Sequence, residues 1–138
     1  MIVDERVQNL LNKVKALADK GIGGESDNAK EILEHLMIKY DITVEDLNDV
    51  KLRQVELRYS NPYEDYLSTQ VMFKVLDGTG RVPYYYVHRR YKRIYADMTA
   101  SEEIEVRYLY SLYREKLHED LMMLTKGFVL KNQIYSTS

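Results

Sequence analysis

Between Thr79 and Ala96 the chain holds no Asp or Glu, yet it carries Arg81, Arg89, Arg90, Lys92 and Arg93, with His88 among them. Tyr84, Tyr85, Tyr86, Tyr91 and Tyr95 are interleaved with these cations. Aromatic rings offer stacking faces worth about 1–3 kcal/mol per base, and flanking Arg and Lys neutralise phosphates, so the mixture suits single-stranded nucleic acid. Residues 82–87 and 92–96 are rich in Tyr and β-branched side chains, which predicts a β-hairpin with Arg89, Tyr91, Arg93 and Tyr95 on one strand face. The candidate contacts to nucleic acid or to a partner are therefore Arg81, Tyr84, Tyr86, Arg89, Arg90, Tyr91, Lys92, Arg93 and Tyr95. A protein-contact surface is an equal reading of this face. A purely structural one stands beside both, because Tyr forms strands well and arginines can pair with acidic helices.

Other chemistry finds less support. His35, His88 and His118 are isolated in sequence, and no metalloprotease, nucleophile-elbow, phosphate-loop or dinucleotide pattern occurs. Gly78-Thr79-Gly80 lacks a third glycine and a following helix, so it reads as a turn. Glu115, His118 and Glu119 share a helix face and would need His35 beside them to make a two-histidine metal site; they read as solvated charges. Glu64, Asp65 and Asp77 would have to be brought together to do acid–base work, and they too read as surface. With no Cys, disulfides, thiolate catalysis and cysteine-based metal sites are excluded together. The expectation is a protein that binds rather than catalyses, with no cofactor and no metal.

The 138 residues, 45% of them hydrophobic, predict one domain, with a helical hairpin over 1–49 and an α+β module over 50–138. Met1-Ile2-Val3-Asp4-Glu5 turns acidic at once, so no signal peptide is read there, and no apolar run approaches the roughly 18 residues of a membrane span. A cytoplasmic protein that does not enter membranes is expected. Five of the 20 basic residues and none of the 22 acidic ones fall between Thr79 and Ala96, so a short basic segment sits on an acidic body.

Those residues must be positioned by the surrounding elements. Val3, Val7, Leu10, Leu11, Val14 and Leu17 recur at helical spacing after a cap at Asp4, and Gly21 with Gly23-Gly24 follows as a turn. Ala29, Ile32, Leu33, Leu36, Met37 and Tyr40 predict a second helix after Ser26, antiparallel to the first. Thr43 with Asp46 opens a short third helix. Val55, Leu57 and Tyr59 alternate as a strand, and Asn61-Pro62 with Glu64 then starts a helix to about Lys74. Thr99 and Glu102 form a capping box for the longest helix, which carries an apolar stripe from Val106 to Leu124 and is expected to end at Gly127 before a loose tail. The fold class is thus α+β: an N-terminal antiparallel helical hairpin plus a small antiparallel β-sheet packed on a long C-terminal helix.

Lys13-Val14-Lys15-Ala16-Leu17-Ala18 and Leu36-Met37-Ile38-Lys39-Tyr40-Asp41-Ile42 carry a pattern, K-x-x-x-L-A followed by L-M-x-K-Y-x-I, that resembles the N-terminal module of a domain-of-unknown-function family common in phages, prophages and bacteria. The stretches 67–75, 102–106 and 128–132 are similar to the second module of its phage members. Longer members continue past the Lys131-Asn132 pair, whereas this sequence stops at Ser138. The resemblance implies a mobile-element origin and brings no catalytic residues. Together these readings predict a non-enzymatic accessory protein that binds single-stranded nucleic acid or a nucleoprotein complex. The alternative is an inhibitor directed at a host protein, such as a nuclease or defence complex, whose acidic body imitates nucleic acid.

Overall fold

The computed structural model describes residues 5–19 and 29–135. Asp4, Gly21, Gly23, Gly24 and Ser26, which the sequence assigns to caps and a turn, lie outside them. Five helices and two strands follow in the order α1 (Glu5–Asp19), α2 (Ala29–Lys39), α3 (Val44–Asn48), β1 (Arg53–Arg58), α4 (Pro62–Leu76), β2 (Arg93–Met98) and α5 (Ala100–Lys131). The chain is α+β, as expected.

Local chemistry sets the helix starts. Thr43 Oγ1 accepts from the Asp46 amide at 3.1 Å while the Asp46 carboxylate accepts from the Thr43 amide at 2.8 Å, so two otherwise unpaired donors are satisfied reciprocally. Thr99 and Glu102 repeat the arrangement at α5. At α4, Asn61 Oδ1 accepts from the Glu64 amide at 2.9 Å, and Pro62 occupies the first helical position, where no amide is needed. Asp41, at φ 55°, ends α2 in the left-handed conformation, and the Ile42 amide reaches back to Met37 O at 2.9 Å to close the turn.

β1 and β2 pair antiparallel, with Val55 opposite Ala96 and Leu57 opposite Ile94 on the buried face. The predicted hairpin over 82–96 does not form. Residues 82–87 contribute only the bridge between Tyr85 and Tyr95, and Arg89–Tyr91 is a turn of 3₁₀ helix. The strand partner of β2 is instead β1, whose Val55 and Leu57 are fully buried on the core face, whereas Tyr84 and Tyr86 are only partly buried against the same cluster. A 3₁₀ turn does not alternate faces, so Arg89 and Tyr91 do not continue the face that carries Arg93 and Tyr95.

α5 is the shared wall of the core. Ala100, Ile104, Tyr108 and Leu112 meet Val7, Leu10 and Val14 of α1, Leu33 and Leu36 of α2, and Leu47 of α3. Val106, Leu109 and Tyr110 meet β1, β2 and α4 through Leu57, Ile94 and Met72. Lys13 of α1 bonds Glu105 at 3.1 Å, and buried Glu103 joins Arg53 and Arg107 at 3.4 and 2.8 Å. Gly127 does not end α5, since one glycine inside a helix costs only about 1 kcal/mol, and the helix continues to Lys131. The expected stripe is also covered for only part of its length, because Leu124 is exposed while Val106, Leu109 and Tyr110 are buried.

Candidate functional site

The outer face of the sheet brings cations together that sequence spacing does not. Arg58 lies directly opposite Arg93 in the ladder. Like charges placed opposite each other are unfavourable, and here Glu56 lies between them, 3.3 Å from Arg58 Nε and 3.8 Å from Arg93 Nη1. The Tyr59 amide donates to Lys92 O at 3.0 Å, carrying the pairing one residue further and bringing Lys92 alongside. On the preceding turn, Arg90 sits 4.8 Å from the ring centroid of Tyr91 and donates to its hydroxyl, and His88 meets the same ring edge-on. This end of the sheet therefore holds Arg58, Arg90, Lys92 and Arg93, with Glu56 in contact with Arg58 and Arg93, and Tyr91 is half exposed beside them.

Arg58 and Glu56 also line a cleft of about 320 Å³ together with Lys39, Arg107, Arg114 and Tyr110. Arg107 stacks 4.8 Å from the Tyr40 ring centroid, and Lys39 Nζ lies 5.4 Å from it. Arg107 is partly neutralised by Glu103, and Arg114 by Glu64. The shared Arg58 and Glu56 make one basic surface that runs from the end of α2 to the turn before β2.

Not all the residues singled out in the sequence take part. Arg81 is held at the far end of β2, where it donates to Asp97 O at 3.0 Å and to Glu102 at 2.7 Å. That pairing acts on Glu102: burial alone would raise its carboxyl, but Arg81 and the Thr99 amide outweigh burial and hold it below the usual range. Tyr84 and Tyr86 pack against the core, and the Tyr86 hydroxyl donates to Asp65 at 2.6 Å. Tyr95 stacks on Tyr85, whose hydroxyl donates to Asp97 at 2.8 Å. Only the backbone of Arg89 is described. Sequence spacing does not point to Arg58, Lys39, Arg107 and Arg114, because what brings them together is strand register and helix packing rather than proximity in the chain.

The second departure concerns Glu64, which is 1% exposed rather than solvated. Its carboxylate accepts from the Ser60 amide at 2.8 Å and meets His118 Nε2 at 2.5 Å and Arg114 Nε at 3.1 Å. His118 is thus turned to α4 and not to the metal face suggested by Glu115 and Glu119. Asp65 bonds Tyr86, and Asp77 is exposed beyond the end of α4, so the three carboxylates do not form a set. Among the described residues no group of three or more His, Asp or Glu is placed to hold a metal ion, and no helix is long and apolar enough to cross a membrane. No family model, curated protein or solved structure matches this chain.

Proposed function

We propose that the chain is a non-enzymatic binding protein for single-stranded nucleic acid, free or within a nucleoprotein complex, and that it grips phosphates along the surface from Lys39 through Arg58 to Arg90. The observation that carries the reading is the facing Arg58–Arg93 pair, flanked by Lys92 and Arg90 and contacting one carboxylate. A phosphate bound there relieves the repulsion within the pair and releases counterions, both of which favour association. Tyr91, held edge-on by His88, offers a ring on which a base can stack. The resemblance of the sequence to phage and prophage proteins supports an accessory role in a mobile element.

Titration with single-stranded and duplex oligonucleotides over a range of salt tests this. Lys92→Ala combined with Arg93→Ala should make the log–log salt slope shallower by about 1.4, at roughly 0.7 for each phosphate no longer neutralised. Tyr91→Ala should weaken binding with little change of slope, since stacking releases no counterions. Arg81→Ala should leave the slope unchanged, because Arg81 is already paired with Glu102. Absence of binding to both kinds of oligonucleotide at low salt would overturn the proposal in favour of a protein target.

A further inference from the structure

Beyond His118, α5 leaves the body of the protein. Met123, Leu124 and Leu130 are 73, 70 and 67% exposed, and Phe128, Ile134 and Tyr135 are exposed as well. Nine of the 17 residues from Glu119 to Tyr135 are apolar. A lone helix of this length is marginal in water, and this one also carries Gly127 in its interior. A Cβ at Gly127 would meet nothing within 4 Å, so nothing packed among the described residues calls for glycine there.

We propose that this arm pairs with the same arm of a second copy of the chain, antiparallel and centred on Lys126. Leu117, Leu121, Leu124, Phe128 and Lys131 of α5 are spaced alternately four and three residues apart, the repeat of a two-helix seam. In the antiparallel register centred on Lys126, Leu124 faces Phe128 of the second copy and Lys131 falls beside Leu121. The stem of Lys131 then lies along the seam while its ammonium reaches the Asp120 carboxylate of the second copy. Gly127 comes next to its own counterpart near the two-fold axis, where a missing side chain lets the helices approach.

Charge selects this occupant and this direction. The base of the arm carries Glu115, Glu119 and Asp120 against Lys116, and its outer part carries Lys126 and Lys131 with no acid. Antiparallel arms set acid against base at both ends, whereas parallel arms set like against like. The contact is isologous, so it closes at two copies.

Sedimentation equilibrium of the full chain across a concentration series tests the proposal. The expected mass is that of two chains at tens of micromolar, falling to one chain for Phe128→Glu combined with Leu124→Glu, with the circular dichroism of the body retained. Asp120→Lys should weaken the dimer by about tenfold, counting two exposed ion pairs replaced by repulsion. Adding Lys131→Asp in the same chain should restore it, because only an antiparallel dimer reunites the swapped charges. A single-chain mass at every concentration, a dimer indifferent to Phe128→Glu combined with Leu124→Glu, or a double swap no better than the single one would each overturn it. These outcomes are independent of oligonucleotide binding.

Discussion

Leu33→Ala and Leu109→Ala are each expected to lower the stability of the chain by about 2–5 kcal/mol, the cost of truncating a buried leucine, and to do so through one unfolding transition seen alike by every probe. Leu33 is 4% exposed between α1, α2 and α5, and Leu109 is 3% exposed between α4, α5 and the sheet. They sit in different apolar clusters, yet both clusters are walled by the first four turns of α5. Ile104 and Val106 are only two residues apart and face opposite ways, each fully buried. Loosening either side removes the surface against which α5 is fixed, so the helical module and the sheet should melt together. The chain has no Trp, and its tyrosines report both modules in the near ultraviolet, Tyr108 and Tyr40 from the helical cluster and Tyr110, Tyr85 and Tyr95 from around the sheet. If Leu33→Ala split that tyrosine signal into two transitions, one of them at the original denaturant midpoint, the two modules would be separate units.

The features that can be read in the sequence are those decided within a turn or two of chain. The caps at Thr43, Asn61 and Thr99 are fixed by residues three positions on, and the structure has all three. The apolar spacing of α1 and α2 likewise names the residues that become buried, Val7, Leu10, Val14, Leu33 and Leu36. What cannot be read depends on partners far away. β2 has a nearby candidate in residues 82–87, but it pairs with β1 across an intervening helix, and the ladder then makes Arg58 the neighbour of Arg93. A basic segment legible as composition thus becomes a site only once register adds a cation from 35 residues upstream. In the same way Glu64 is legible as the third residue of α4, but its burial depends on His118, 54 residues further along the chain. Gly127 reads as a stop because a helix end is glycine's commonest helical role. An interior glycine is a weaker local signal, and its explanation lies outside this chain's own core.

Glu64 is the buried group whose loss should be felt most outside the apolar core. Burial disfavours its charged form, but the Ser60 amide, Arg114 and His118 together outweigh that cost and hold the carboxyl below its ordinary value. Its charge is felt nearby: burial, reinforced by the Glu64 carboxylate, pushes the Tyr110 hydroxyl up to about 12. A carboxyl with a folded value below its unfolded one stabilises the protein above the unfolded value near about 4.3, and that contribution is lost as pH falls through the folded value. Glu64→Gln keeps the shape and can still accept from the Ser60 amide, but it gives up the charge that Arg114 and His118 share. Removing one member of a fully buried ion pair costs about 3–5 kcal/mol, yet both partners here are nearly half exposed and can turn to water. The expected loss at neutral pH is therefore smaller, about 2 kcal/mol. The gap between wild type and Glu64→Gln should close as the solution is acidified below pH ~4, because protonation removes the same charge from the wild type. Denaturant melts of both proteins from neutral to acid pH would show this convergence. Parallel curves, offset equally at every pH, would mean that the loss comes from the buried amide's own hydrogen bonding and not from the missing charge at the point where α5 leaves the body.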